Sequence, residues 1–218
     1  MKIILASGSP RRRELLAQAG YAFTVEVSDA DEDITAQSPD RLVEDLSYRK
    51  AMAVVMAHGI EAGSGIQDPF PDKDLDTEII APEDEDLLFI GADTVVVLSD
   101  EILGKPEDEA DAARMLTELS GRTHQVYTGV CLIHTRGRHL LERRAFSECT
   151  DVIMRKLSAK EIHDYIASGE PMDKAGAYGI QGKAAVFISG IRGDYYNVVG
   201  LPVCHLAEEI NRITSEYL

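Results

Sequence analysis

The first sixteen residues constrain the fold most, because an apolar segment leads directly into a helix start that carries a run of cations. Residues 3–5 are apolar and predict a short strand. Ser9 is a favourable N-cap and Pro10 a favourable first helical residue, so Arg11 and Arg12, the first two of three consecutive arginines, fall in the first turn. Cations there oppose the helix dipole, yet free amides and guanidinium groups together form a good anion site, best suited to phosphate. A solvated charge run on a surface helix is the alternative, and the arginines alone do not separate the two.

The charge balance of the chain limits its partners. The 218 residues carry a formal net charge of −16, which repels nucleic acid and anionic membrane overall. A polyanion site would be a local exception to this field, so a metal cation is expected to help hold a polyphosphate there. No apolar run approaches membrane-spanning length, and the N-terminal one is too short and badly placed for a signal peptide. We therefore expect a cytoplasmic protein with no nucleic-acid or membrane partner.

The cysteines and histidines show no pattern of their own. Cys131, Cys149 and Cys204 are widely spaced and lack a CxxC motif, so we expect buried free thiols rather than disulfides or a zinc site. His124 and the other histidines lack ligand spacing. We assign the histidines no role.

A lysine lies on the apolar stripe of the second predicted helix. Ser38 and the proline after it cap a long helix, and Lys50 follows Leu46 by four residues on its inward face. An inward lysine needs an anionic partner. Burial of its stem, with the ammonium group reaching outward to water, is the alternative.

Asp93 is a further candidate. It lies between the apolar runs 87–92 and 95–98 and is expected to interrupt a strand there, where an ionised carboxylate needs a cation or hydrogen-bond donors. A metal ligand or a general base fits this position, and a turn aspartate that caps nearby amides is the alternative. With the phosphate-type turn, the acidic loop around Glu32 and the isolated lysines Lys50, Lys105 and Lys174, it describes a metal-assisted phosphate-transfer site.

The rest of the chain alternates between helices and strands. Residues 123–134 and 139–154 predict two long antiparallel strands, and Ser158 caps a helix ending near 168. A helix is expected directly after Pro106, with 107–109 in its first turn. Three glycines at 176, 179 and 182 are expected to allow close approach to a ligand. Further predictions are a strand at 184–188, a turn at 190–194, a helix from Pro202, and an aperiodic acidic insertion at 60–86.

Six ordered motifs resemble one family. They are LASGSPRRRELL at 5–16, GADTVV at 91–96, GKP at 104–106, SGRTHQVYTGV at 120–130, DKAGAYGIQG at 173–182 and GDYYNVVGLP at 193–202. Through them the chain resembles the Maf-like nucleotide pyrophosphatases. The resemblance implies an α/β, inosine-triphosphatase-like (Maf/Ham) fold, with an elongated mixed β-sheet, flanking helices and two lobes around a central cleft. It also implies that residues 1–218 form one domain, usually in a homodimer.

The resemblance further implies hydrolysis of a nucleoside triphosphate to the monophosphate and pyrophosphate, with a divalent cation, Mg2+ or Mn2+, in nucleotide-pool house-cleaning. Asp93 would be the catalytic carboxylate and, with Glu32, a metal ligand. The substrate-binding residues would be Ser7, Arg11, Arg12, Lys50, Thr94, Lys105, Lys174 and Gln181. The motifs match the subgroup acting on dTTP and UTP, with Arg11, Thr94 and Gln181 as specificity positions. The Gln181 amide offers both a donor and an acceptor to the O4/N3 edge of a pyrimidine.

A regulatory nucleotide-binding protein that signals to a division or replication partner is the alternative function. A pure binder has no need of acids beside a phosphate site, so Asp93 and Glu32 favour the enzyme. Direct nucleic-acid binding is disfavoured by the net charge.

Overall fold

The computed structural model describes residues 1–27, 30, 38–60 and 85–216. The strands are β1 (Lys2–Ala6), β2 (Phe23–Val25), β3 (Asp86–Leu98), β4 (Glu101–Leu103), β5 (Thr123–Arg136), β6 (His139–Met154) and β7 (Ile188–Arg192). The α-helices are α1 (Pro10–Gln18), α2 (Pro39–Ala57), α3 (Glu109–Leu119), α4 (Ala159–Ile166), α5 (Tyr195–Val199) and α6 (Val203–Glu216). Short 3-10 helices occupy Glu170–Asp173, Ala175–Ala177 and Gly182–Phe187.

The strands form one mixed sheet in the order β2-β1-β3-β5-β6-β7, and β4 pairs with the C-terminal end of β3. β1 pairs in parallel with β2 and β3, whereas the β3–β5, β5–β6 and β6–β7 pairs are antiparallel. The predicted α/β class with an elongated mixed sheet is confirmed, as is the long antiparallel pair. The division into one domain of two lobes stays a prediction.

Alternation along β3 divides the core between the two faces of the sheet. Phe89 and Val95 lie in apolar clusters with residues of α2. On the other face, Ile90 lies in a cluster with residues of α1 and α6, and Val96 in one with residues of α3 and α4. The helix α2 thus covers one face, and two groups of helices share the other.

Two glycines bring α2 into direct contact with the sheet. A Cβ atom on Gly91 would lie 2.2 Å from the carbonyl oxygen of Ser47, and one on Gly129 would lie 2.2 Å from that of Val43. No side chain fits in either position, so the backbone of α2 rests on β3 and β5. This close approach brings Lys50 down to the surface of β3.

The edge of β3 has a gap beside β1. β1 pairs with β3 as far as Gly91, and β4 begins to pair at Val96. Among the described strands, none pairs with residues 92–95 on this side. Asp93 and Thr94 therefore lie where the sheet is open.

The predicted interruption at Asp93 is wrong. β3 runs through it, and Asp93 and Thr94 pair in register with Gly129 and Thr128 on β5. The strand tolerates the carboxylate because the ladder with β5 is unbroken and Lys50 supplies the opposite charge.

Three further boundaries differ from the predictions. α3 begins at Glu109, because Asp108 rather than Pro106 caps it by accepting from Asp111 N at 2.7 Å. Residues 184–187 belong to a 3-10 helix, since Ala184 and Phe187 enter the core at a spacing of three. The strand β7 lies where a turn was predicted, and the short α5 was not predicted. The helices capped by Ser158 and following Pro202 are confirmed.

Two cysteines also differ from expectation. Cys131 is buried, and burial raises the pKa of its thiol to about 12. Cys149 and Cys204 are exposed free thiols, because they lie on the outer surfaces of β6 and α6. The expectation of three buried thiols is therefore wrong for two of them.

The acidic insertion predicted at 60–86 lies mostly outside the described residues. Ile60 is buried beside α2, and Asp86 begins β3, so both ends belong to the folded core rather than to a loop. None of the helices in the described ranges is both long and apolar enough to cross a membrane.

Candidate active site

A cavity of about 670 Å3 opens at the gap in the β3 edge. Its volume is in the range of small-molecule and cofactor sites. All the predicted site residues in the described ranges line it, namely Ser7, Arg11, Arg12, Lys50, Asp93, Thr94, Lys105, Lys174 and Gln181. The predicted metal ligand Glu32 lies outside the described residues.

The turn between β1 and α1 holds Arg12 in place. Ser9 caps α1, its hydroxyl lying 3.5 Å from Arg12 N. The Arg12 guanidinium donates to Ser7 Oγ at 3.2 Å, to Thr94 Oγ1 at 3.0 Å and to the Gly200 carbonyl oxygen at 2.8 Å. The predicted strand, turn and helix are confirmed, and the side chain of Arg12 is held between β1, β3 and the segment after α5.

The three consecutive arginines separate into two groups. Arg11 and Arg12 line the cavity, whereas Arg13 is exposed to solvent and does not line it. The alternative of a solvated charge run therefore describes Arg13 alone.

Lys50 and Asp93 form an ion pair across the α2 face of the sheet. The ammonium nitrogen lies 2.5 Å from Asp93 Oδ1, and the two side chains are 18% and 14% exposed. The cross-strand neighbour of Asp93 is Gly129, which places no side chain beside the pair. Lys50 thus has the anionic partner that its inward position required, and it does not merely extend to water.

The loops that carry Lys105 and Lys174 are joined by their backbones. Gly176 N donates to the Gly104 carbonyl oxygen at 2.9 Å. Lys174 Nζ donates to the Glu170 carbonyl oxygen and to Asp173 Oδ1, both at 2.6 Å. The two lysines therefore belong to one connected wall of the cavity.

Of the three glycines predicted to allow close approach to a ligand, Gly179 lines the cavity, whereas Gly176 and Gly182 do not. A Cβ atom at 176 or 182 would lie within 3 Å of the side chain of Val96 or Glu170, respectively, and the backbone has positive φ at both positions. The prediction is therefore wrong for Gly176 and Gly182 and stays a prediction for Gly179.

The cavity is electropositive in a strongly acidic protein. Among the described residues, five cationic side chains line it against two carboxylates, those of Asp93 and Asp173, although the chain as a whole carries −16. Such a local exception to the overall field concentrates anions in the cavity.

The described side chains suit a cation that arrives with a ligand rather than a preformed metal cage. No cluster of three or more potential metal ligands occurs among residues 1–27, 30, 38–60 and 85–216. Asp93 is nevertheless a partly buried carboxylate in the cavity wall. Mg2+ is usually held by one or two carboxylates together with substrate phosphates, so Asp93 fits that mode of binding.

Two residues of the cavity wall were not predicted from the sequence. Asp173 lines the cavity, and so does Tyr178, whose hydroxyl lies 2.7 Å from His124 Nε2. His124 is fully buried on β5, and burial lowers its pKa to about 4. The signal for Asp173 and Tyr178 was their place in the motif at 173–182, whereas nothing local marked His124.

Comparisons with known proteins show which proteins the chain resembles. A family model described as "Maf-like protein" matches residues 2–213. The chain is 48% identical over 212 residues to a dTTP/UTP pyrophosphatase of Agathobacter rectalis, covering 97% of both chains. It is 46% identical over 213 residues to a protein of the same name from a Geobacillus species, covering 97% of this chain and 98% of the other. A solved nucleoside-triphosphatase / dITP/XTP pyrophosphatase from Mycobacterium abscessus aligns over 100% and 98% of the two chains, with 14% identity and a TM-score of 0.41.

Proposed function

This chain belongs to the Maf-like protein family, and from that membership we propose that it hydrolyses dTTP and UTP to the nucleoside monophosphate and pyrophosphate. Relatives that are 44–48% identical over nearly the whole chain carry the name dTTP/UTP pyrophosphatase. The observation that carries the proposal is the cavity with five cationic side chains in a protein of net charge −16.

The triphosphate would lie against the N-terminus of α1. The first-turn amides and Arg11 and Arg12 offer hydrogen-bond donors and positive charge to phosphate oxygens. Lys105 and Lys174 also line the cavity and add to its positive charge. Charge that develops on the departing pyrophosphate would be stabilised by these fixed cations.

Asp93 would act at the α-phosphorus. Its carboxylate would accept a proton from the attacking water, and Lys50 at 2.5 Å pairs with it. A bound Mg2+ or Mn2+ would be held by Asp93, with Glu32 as the second carboxylate, and would neutralise phosphate charge as a Lewis acid. Lys50 also keeps Asp93 oriented, because both side chains are mostly buried.

The base would be recognised on the other side of β3. The specificity positions Arg11, Thr94 and Gln181 all line the cavity. The exposed Gln181 amide would pair with the O4/N3 edge of uracil or thymine. Assembly as a homodimer, a cytoplasmic location and a house-cleaning role in the nucleotide pool complete the proposal. No observation among the described residues favours the regulatory binder.

The proposal is tested by measuring pyrophosphate release from each canonical nucleoside triphosphate, with Mg2+, with Mn2+ and with a chelator. We expect cleavage of dTTP and UTP above all others, and only with metal. Release of inorganic phosphate instead of pyrophosphate, or equal turnover of purine and pyrimidine substrates, would contradict it.

A further inference from the structure

A buried chain of hydrogen bonds lies directly behind Thr94. Thr94 Oγ1 is 2.9 Å from Thr128 Oγ1, its cross-strand neighbour on β5, and Thr128 Oγ1 is 2.9 Å from the Asn197 carbonyl oxygen. Thr128 and Asn197 are both fully buried, and neither lines the cavity. On the cavity side, the Arg12 guanidinium donates to Thr94 Oγ1 at 3.0 Å. The chain thus connects a cavity arginine to the backbone of α5.

The positions of the hydroxyl protons follow from the chemistry of the two ends. A carbonyl oxygen only accepts, so Thr128 donates its single proton to Asn197. Toward Thr94, Thr128 can then only accept a hydrogen bond. Thr94 donates its own hydroxyl proton in that bond. The guanidinium at the other end only donates, in agreement with this direction. Toward a ligand, Thr94 has no proton left and can act only as an acceptor.

The end of the chain is held rigidly. Asn197 Nδ2 donates to the Val126 carbonyl oxygen and to Thr150 Oγ1, both at 3.0 Å. Thr150 Oγ1 in turn lies 3.0 Å from both the backbone N and the carbonyl oxygen of Asp194, the N-cap of α5. Because the acceptor at Asn197 cannot swing away, the direction of the whole chain is fixed.

We infer that Thr128 is a positioning residue for base selection, which acts by keeping the Thr94 hydroxyl proton away from the cavity. The inference rests on the proposed function and on Thr94 as a specificity position. An acceptor at Thr94 favours a base that presents a donor. The N3–H of uracil and thymine is a donor, whereas the N3 of cytosine is an acceptor, so a fixed acceptor discriminates against cytosine.

The test is the ratio of kcat/KM for UTP to that for CTP. Thr128→Val keeps the shape of the side chain but frees the Thr94 proton to turn toward the cavity, so we expect the ratio to fall about tenfold. Thr128→Ser keeps the hydroxyl and should keep the ratio. Thr135→Val is the matched control: Thr135 is equally buried on β5, and its hydroxyl has no hydrogen-bond partner among the described residues. Its ratio should equal that of the wild type.

A second comparison shows whether Thr128 acts through Thr94. In a Thr94→Val background, Thr128→Val should leave the UTP/CTP ratio unchanged, because no hydroxyl remains to be oriented. A further fall in that background, or an unchanged ratio in Thr128→Val alone, would overturn the inference. If Thr128→Val does not fold, Thr128→Ala removes the same hydroxyl without crowding and takes its place. Failure of the wild type to cleave UTP would instead overturn the proposed function, whereas normal UTP cleavage with an unchanged ratio overturns only the inference.

Discussion

Lys50 on α2 and Asp93 on β3 are 43 residues apart in the chain, yet their charged atoms lie 2.5 Å apart on the same face of the sheet. The contact depends on Gly91 and Gly129, which let the backbone of α2 rest directly on the strands. Any side chain at those glycines would lift α2 and the ammonium group with it. The ion pair is therefore a product of helix-to-sheet packing as much as of charge.

Asp93→Asn should abolish turnover while the fold is kept, because it preserves volume but removes the charge used for the metal ion or the attacking water. Asp86→Asn is the matched control, since Asp86 is also on β3 and ion-paired, to Arg136, but lies outside the cavity. Steady-state pyrophosphate release and thermal melting check both variants. Near-normal hydrolysis by Asp93→Asn with metal present would rule out its catalytic role.

Lys105→Ala should raise KM for the triphosphate by roughly tenfold to a hundredfold, because one charge-assisted phosphate contact is lost. Lys105 is exposed in the loop before α3 and lines the cavity, so its loss should not affect folding. Lys156→Ala, at an exposed lysine outside the cavity, serves as the control. A change in melting temperature without a change in KM would make Lys105 a structural residue.

Gln181→Glu should lower kcat/KM for UTP by roughly one to two decades, because a carboxylate would face the uracil carbonyl in place of an amide donor. The loss on CTP should be smaller, since the exocyclic amine of cytosine can donate to the new carboxylate. Gln18→Glu, on the exposed surface of α1, introduces the same change outside the cavity. Equal losses on UTP and CTP would mean that Gln181 does not touch the base.

Gly91→Ala should destabilise the fold by about 3 kcal/mol or more, because the new Cβ would lie 2.2 Å from the Ser47 carbonyl oxygen and neither backbone can yield easily. Gly190→Ala on β7 is the control, since its Cβ would meet only Ile153 Cδ1, at 3.6 Å. Urea unfolding measures both variants. A Gly91→Ala protein as stable as Gly190→Ala would show that α2 does not rest on the strand.

The free energy of unfolding should decrease as the pH falls from 6.5 to about 4, because His124 is buried. Burial lowers its pKa from 6.5 to about 4, so in that window the unfolded chain binds a proton that the folded chain does not. The stabilisation that depends on a neutral His124 is complete above pH 6.5 and decreases as the pH falls. Below pH 4 the free energy of unfolding is lower by about 3 kcal/mol. Urea midpoints from pH 7 to pH 4 should show a shallower slope for His124→Gln than for the wild type. The slope is reduced rather than removed, because burial also lowers the pKa of His134.

The exposed His163 on α4 provides the control for this pH dependence. His163→Gln replaces the same residue type at an exposed position and should keep the wild-type slope. A His124→Gln slope equal to that of the wild type would show that another group causes the decline.

Features set by neighbouring residues could be predicted from the sequence, whereas those that depend on distant contacts could not. Ser9 and Pro10 specify the start of α1 locally, and alternation specifies β5 and β6. The chemistry of Asp93 was predicted but its continuous strand was not, because the compensating charge comes from Lys50 on α2. The 3-10 segment before β7 follows from core contacts of Phe187, which no local pattern reveals.

The same distinction holds within the candidate site. Arg12 was found because its position at a helix start suits anions, and Lys105 was found as an isolated lysine in a family motif. Thr128 is an ordinary strand residue by sequence, and only its pairing with Thr94 and Asn197 reveals its contacts. The roles of all these residues, and of Glu32, stay predictions.

Two adjacent residues at the gap in the β3 edge make contacts on opposite faces of the sheet. Asp93 and Thr94 are adjacent residues, so their side chains point to opposite faces, one toward Lys50 and the other toward Arg12. Under the proposed roles, one rigid peptide unit separates the reacting carboxylate from the base-selecting hydroxyl and fixes their spacing. On the same premise, a change on the α5 side would alter substrate choice without touching the Lys50–Asp93 pair under α2. Cleavage and choice would then be two separately adjustable properties.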